Sequence, residues 1–282
     1  MVNRETVMNC EETKPTSWQE LINELFKDCA LQDHIKRYRS LYAYRGLSDT
    51  TYTLKTSLLR LHDNDTSCCP KVEPHLLKNF IKYSREEYPS FTPWHWLALA
   101  QHHGLPTRLL DWTFSPFVAL HFATSDSKKI NCDGAVWLVN FKEIHNALPE
   151  KFKDAIKKEG SYVFTVKLLS ETAANIEEFD KMGNPFALFF EPPSLDERIV
   201  NQSALHSIIS NPTMRFDQLL ENHPDWYKKI IIPKQLKPEI RDKLDQANIT
   251  ERVLFPGLDG LSDWLSRWYG PSFLAKQCAR AK

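Results

Sequence analysis

Glycine is scarce in this chain, with eight in 282 residues, at positions 46, 104, 134, 160, 183, 257, 260 and 270. No two of them fall in the G-x-G-x-x-G or G-x-x-x-x-G-K-[ST] arrangement that cradles phosphates on backbone N–H groups, which excludes a dinucleotide fingerprint and a P-loop. A nucleotide bound here must be held by side chains, arginine first, because its planar fork matches phosphate geometry. Excess charge of either sign is also missing: 36 Lys and Arg face 36 Asp and Glu, which argues against general polyanion binding. The six cysteines, Cys10, Cys29, Cys68, Cys69, Cys132 and Cys278, are scattered. The adjacent pair lacks C-x-x-C spacing, so a zinc ribbon is not expected and the thiols are read as reduced. No uninterrupted apolar run reaches the roughly 20 residues of a membrane span, and the start Met-Val-Asn-Arg-Glu lacks an apolar leader. A cytoplasmic protein with no membrane partner is the expectation.

What is present suits a globular chain: 42% hydrophobic and 12% aromatic residues can build a real core. Residues 1–16 are polar and aperiodic and are read as a flexible segment. Ser17-Trp-Gln-Glu20 then opens a capping box, which with Trp18, Leu21, Ile22, Leu25 and Phe26 predicts a helix over 17–29. Ser40 to Gly46 reads as a strand ending near Arg45, and Leu76, Leu77, Phe80 and Ile81 mark a second helix. Thr92-Pro93 before Gly104, and Ser115-Pro116, signal two further helix starts, with Trp94, Leu97, Leu99, Leu109, Val118 and Phe122 as core. Short apolar runs at 134–140, 162–167, 186–191, 205–210 and 229–233 read as strands of one sheet, and helices return over 238–244 and 261–268. Helices first and strands later imply an α+β fold with a mixed or antiparallel sheet and flanking helices, in a single domain over 17–270 with a tail at 271–282.

The densest polar segment runs from Trp96 to Pro116, where Gln101, His102, His103, Thr107, Arg108, Asp111, Trp112 and Ser115 crowd a loop between two apolar helices. Such a loop on a rigid frame is what a binding site needs. A structural reading stands beside it: Arg108 and Asp111 pair locally and Ser115 only caps a helix. Metal ligation is disfavoured, because adjacent histidines on a helix point about 100° apart.

Tyr44-Arg45-Gly46-Leu-Ser-Asp49, Leu54 to Arg60, Ala98 to Ala123, Arg198 to His206, Ile230 to Pro233 and Leu254 to Gly260 together resemble the FRG domain, named for a Phe-Arg-Gly motif. Tyr44 stands where that motif has Phe, and Gln202-Ser-Ala-Leu where relatives often read Gln-Gln-Gly-aromatic. Ser203 and Ala204 are not expected to take the positive φ that glycine allows. The family is largely bacterial. Arg45, Ser115 and Gln202 also follow the order of the Arg–Ser–Glu signature of ADP-ribosyltransferases, which bind NAD without a glycine-rich loop.

That distant resemblance implies an ADP-ribosyltransferase-like architecture and NAD as cofactor, with no metal. Arg45 forks onto a phosphate, Ser115 holds a strand–helix junction, and Gln202 takes the place of the glutamate that stabilises the cation as nicotinamide leaves. Glu191 or Glu197 supplies the missing carboxylate. Tyr44, Gly46, Gln101, His102, Thr107, Arg108, Asp111 and Trp112 complete the expected substrate site, at which NAD is cleaved by transfer of ADP-ribose to an unspecified macromolecule or by hydrolysis. Two readings remain open beside it. One is a non-catalytic module for a nucleotide or RNA end, in a bacterial defence or toxin setting, using Arg45, Arg108, Tyr44 and Trp112. The other is a phosphoryl enzyme with His102 or His103 as base.

Overall fold

Helix starts in the computed structural model follow the caps written in the sequence, and the described residues are 10–33, 35–62, 65–84, 88 and 90–271. In chain order the first elements are β1 (Glu11–Thr13), α1 (Trp18–Phe26), β2 (Ala30–Gln32), β3 (Arg37–Arg39), β4 (Tyr42–Leu47), α2 (Ser57–Leu61), α3 (Cys69–Ser84) and α4 (Pro93–His102). Next come β5 (Leu110–Thr113), α5 (Pro116–Thr124), β6 (Gly134–Asn140), α6 (Phe141–Asn146), α7 (Glu150–Glu159), β7 (Phe164–Thr165), α8 (Val166–Thr172), α9 (Ile176–Asp180) and β8 (Ala187–Glu191). The last are α10 (Glu197–Asn201), β9 (Ala204–Ile209), α11 (Phe216–Glu221), β10 (Tyr227–Ile232), α12 (Lys237–Gln246), α13 (Glu251–Leu254) and α14 (Leu258–Trp268). Of the tail expected over 271–282, residues 272–282 lie outside the described residues, as do residues 1–9.

The chain is mixed α and β, and it divides into two compact units. Unit 1 is 1–52, 113–140 and 220–282; unit 2 is 53–112 and 141–219. In unit 1 the strand order is β1-β10-β6-β4, with β1 parallel to β10 and the other pairs antiparallel. In unit 2 it is β5-β9-β8-β7, with β7 parallel to β8 and β8 antiparallel to β9. Helices flank both mixed arrangements, as the α+β reading expects.

Three sequence readings are corrected. Glu11–Thr13 forms β1 inside the stretch read as aperiodic, since an exposed edge strand needs no apolar alternation; Glu11 is drawn to Lys27 at 2.7 Å and Lys228 at 3.0 Å. The strand read over 162–167 is only Phe164–Thr165, because the Thr165 hydroxyl accepts from Leu168 N at 3.1 Å and caps α8. Helices α6 to α11 alternate with the later strands, so the order is not helices first and strands later. Of the expected core, Trp94, Leu97, Leu99, Leu109 and Val118 are buried, while Phe122 is half-buried with its edge on Phe255.

The core of unit 1 forms where α5 lies on β4 and β6. Tyr42, Tyr44 and Gly46 share one face of β4, and the two tyrosines pack with Ala119, Leu120, Ala123, Val136 and Leu138. A Cβ on Gly46 would sit 1.8 Å from the Ala119 carbonyl oxygen and 2.7 Å from Ala123 N, so only glycine lets the helix backbone approach this closely. Gly104, by contrast, ends α4 at φ +79° with open space around it.

On the far side of α5, His121 is buried against the C-terminal helices. Arg241 donates to His121 Nδ1 at 2.8 Å and to Glu251 at 2.6 Å, and Arg267 bridges Glu251 and Asp245. Burial, followed by the charge of Arg241, holds the His121 imidazole down at about 3. Burial alone would raise Glu251, but hydrogen bonds from Arg267 and the charge of Arg241 hold it at about 2.

Two outcomes follow from this packing. Gly46→Ala is expected to destabilise by about 3 kcal/mol or more, as forced overpacking against backbone, whereas Gly104→Ala costs only about 1–2 kcal/mol of left-handed strain; denaturant melts of both variants compare the two. For His121, the unfolded imidazole titrates near 6.5 and the folded one at about 3, so the unfolded chain binds more protons across that window and stability falls as pH drops through it. His121→Gln is expected to flatten that slope by up to about 1.4 kcal/mol per pH unit, read from chemical melts between about pH 7 and 4.

Candidate functional site

The polar segment between α4 and α5 is not one loop. Leu110–Thr113 forms β5, with Leu110 and Trp112 buried and Asp111 exposed between them. This strand organises the site, because its parity turns Asp111 outward and Trp112 inward. Trp112 donates its indole N–H to the Ser207 hydroxyl at 2.8 Å and packs on Phe189 and Phe216.

Asp111 sits between a hydrogen-bonding amide and a buried imidazole whose Nδ1 makes no hydrogen bond among the described residues. Gln101, in the last turn of α4, donates to Asp111 Oδ1 at 2.9 Å, and His206 Nδ1 on β9 lies 3.2 Å from the same oxygen. The Thr107 hydroxyl donates to Gln101 Oε1, and the Thr107 main chain is pinned to α2 by Ser57 and Leu58. The Asp111 side chain is 62% exposed while that of His206 is 8% exposed, so a carboxylate is presented to solvent on a buried imidazole. His206 packs edge-on against Phe190, its cross-strand neighbour.

The residue after Gln101 makes a second pair. His102 Nε2 contacts Asp196 Oδ2, and Asp196 Oδ1 accepts from Ile199 N at 3.0 Å, so one carboxylate caps α10 and holds the imidazole. Burial lowers the His102 pKa; Asp196 pulls it back up, and Arg198 pushes it down again. The ring is thereby biased toward the neutral form at pH 7, which can accept a proton. Gln202 is the C-cap residue of α10. Ser203 follows with φ +46°, so serine does adopt the left-handed backbone that the sequence reading denied it.

Arg108 points elsewhere. It is buried, donating Nε to Glu73 at 2.6 Å and Nη1 to Asp180 at 2.5 Å, with its main-chain N–H also on Glu73 at 3.2 Å. Its fork is filled by two carboxylates and not by Asp111, as the local pairing had it. In unit 1, Tyr44 is buried with its hydroxyl beside Ser40 at 2.9 Å and the Leu25 carbonyl at 3.4 Å. Neither Tyr44 nor Trp112 offers a ring face to a base, and Arg108 offers no fork to a phosphate, which removes three supports of the recognition-module reading. Gly46 makes room for α5. Tyr44 pairs with Thr113, so Arg45 and Ser115 flank one strand pair, and Ser115 Oγ accepts from Val118 N at 3.4 Å to cap α5.

The structure thus gathers Gln101, His102, Thr107 and Asp111 and adds Asp196 and His206. Asp196 carried only the signal of a helix cap, and His206 lay on a strand too generic to mark. Among the described residues no group of three or more His, Cys, Asp or Glu could hold a metal ion, and no helix is long and apolar enough to cross a membrane.

Residues 40–132 match the FRG domain. The FRG match takes in the Tyr-Arg-Gly strand, α4, β5 and α5, and with them Gln101, His102, Thr107 and Asp111; Asp196 and His206 lie beyond it. No curated protein and no solved structure matches the chain, and no match links it to ADP-ribosyltransferases.

Ser203→Gly is expected to raise stability by about 0.5–1 kcal/mol through relief of left-handed strain between α10 and β9. An unchanged or lowered melting midpoint would show that the Ser203 side chain offsets the strain.

Proposed function

We propose that unit 2 binds a nucleotide where α4, β5, α10 and β9 meet, and that NAD is the nucleotide, cleaved between its ribose and nicotinamide. One observation carries this reading: two histidine–carboxylate pairs, His206–Asp111 and His102–Asp196, are joined through the neighbouring residues Gln101 and His102. Asp111 takes the part of the carboxylate that Gln202 lacks. Held by Gln101 and lying beside His206, it faces the positive charge that grows on the ribose C1′ as the bond to nicotinamide breaks and the bonding pair leaves on the nicotinamide nitrogen. A preorganised charge in that position is worth several kcal/mol. His102 accepts the proton of the water or acceptor hydroxyl that forms the new bond to C1′, and Arg198, close enough to act on His102, lends positive charge for the phosphates.

The reading is tested by incubating the full chain with NAD labelled in both halves and following nicotinamide release. Turnover is expected. Asp111→Asn should lower it about 100-fold or more, the scale of removing one stabilising group from a developing charge, with the melting midpoint unchanged. Gln202→Glu should hold or raise it. Intact NAD together with no calorimetric binding overturns the proposal, and binding without nicotinamide release replaces the enzyme with a nucleotide-recognition module.

A further inference from the structure

Helix α14 in unit 1 packs along one narrow side, through Gly260, Trp264 and Arg267, and is otherwise exposed. Gly260 lies so close to the turn after α13 that a Cβ there would sit 1.9 Å from the Phe255 carbonyl oxygen. Arg267, two turns further on, is locked to Asp245 at 2.6 Å and to Glu251 at 2.7 Å. The Arg252 guanidinium lies 4.5 Å over the Trp264 ring. With about 100° between successive residues, these three contacts fix which way the helix faces. Its outer side carries Leu258, Leu261, Leu265 and Trp268, with Tyr269 at the end. Leu258, Trp268 and Tyr269 are more than half exposed, Leu261 and Leu265 more than a third. We propose that this stripe is a self-association surface, on which a second copy of the chain docks its own α14 antiparallel across a two-fold axis.

Charge, spacing and area select that occupant. The stripe itself is uncharged: Ser262 is the polar residue nearest to it, while Asp259, Asp263 and Arg267 fall on the other side of the helix. It therefore offers nothing to nucleic acid or to a charged peptide. Being a convex ridge, it suits another helix and not a small molecule, which needs a concave site. The intervals from Leu258 to Leu261, Leu265 and Trp268 are three, four and three residues, the seam spacing of paired helices. That pattern is symmetric about position 263. Read antiparallel, Leu261 meets Leu265 of the second copy and Leu258 meets its Trp268, so the bulkiest side chain falls opposite an end leucine at both rims. At these exposures the five side chains leave about 600 Å² of apolar surface in water, at the upper end of what a monomer leaves open. A two-fold pair covers about 1,200 Å² in all, the lower edge of the range for specific interfaces, which points to a dimer of modest affinity. This surface uses none of the residues assigned to NAD cleavage and stands independently of that reading.

The test is analytical ultracentrifugation of the full chain between about 1 and 300 μM. The mass is expected to rise from one chain to two, with a dissociation constant of about 1–50 μM. Leu265→Glu and Leu261→Lys each set a charge against a leucine of the second copy, and each alone should weaken the dimer at least about tenfold. The antiparallel register makes a sharper demand: mixing the two variants places the introduced carboxylate opposite the introduced ammonium and restores the leucine pair at the other crossing. The mixture should therefore dimerise at least about tenfold more tightly than either variant alone. Both side chains lie on the outer side of the helix, so melting midpoints at about 1 μM, where the parent is largely monomeric, should match the parent. A parent that stays monomeric to 300 μM overturns the proposal, and binding of that monomer to phosphatidylcholine vesicles would name a lipid surface as the occupant instead. A dimer unmoved by Leu265→Glu, or a mixture no tighter than its separate variants, overturns it as well.

Discussion

The α5 backbone approaches strands β4 and β6 closely, and the core of unit 1 depends on that approach. Two glycines allow it. Gly46 faces Ala119 and Ala123, and Gly134 has the Ala123 carbonyl 2.8 Å and the Leu47 carbonyl 3.0 Å from where its Cβ would be. With Ala119 and Ala123 as the matching small residues on the helix, the backbones meet where side chains would otherwise stand, and the tyrosines and branched aliphatics fill the flanks. The glycine of the Tyr-Arg-Gly motif is therefore a packing residue, and Ser115-Pro116 sets where the helix starts so that Ala119 falls opposite it. Motif and helix, about 70 residues apart, are two halves of one contact.

Unit 2 solves a different problem. Its polar residues are numerous, and several of the buried ones are settled by distant partners. Arg108 is neutralised from α3 and α9, Trp112 donates to β9, and His145 accepts the Phe189 N–H at 2.8 Å with burial holding it down at about 4. Such groups are costly unless every donor and acceptor is answered. What remains exposed after this settlement is Asp111, with Asp196 half covered, which is why the reactive-looking groups collect where α4, β5, α10 and β9 come together.

Much of the frame was legible in the sequence because its signals are local. Ser17, Thr92-Pro93, Gly104 and Ser115-Pro116 each mark a boundary by chemistry confined to a few residues. Strands β6, β8, β9 and β10 announce themselves as apolar runs. Strand β5 does not, because four residues with one exposed aspartate give too little alternation to separate from a loop. The short helices α8 to α11 run five to seven residues and present no periodicity long enough to read. The site was legible in one half. Gln101, His102, Thr107 and Asp111 fall in one short stretch, whereas Asp196, His206, Glu73 and Asp180 come from distant segments, and no spacing rule reaches that far. Burial then reassigned Tyr44, Trp112 and Arg108, since sequence lists residue types without saying which face inward.

Asp196 serves two masters, the α10 backbone through one oxygen and the His102 ring through the other. A group shared in this way ties local order to proton affinity. When the first turn of α10 frays, the carboxylate leaves the imidazole and its hold on a proton weakens; when a proton arrives on His102, the carboxylate is drawn in and the turn is secured. By linkage the two effects are equal in free energy. The five-residue helix and the ionisation of the neighbouring ring are thus coupled through one carboxylate.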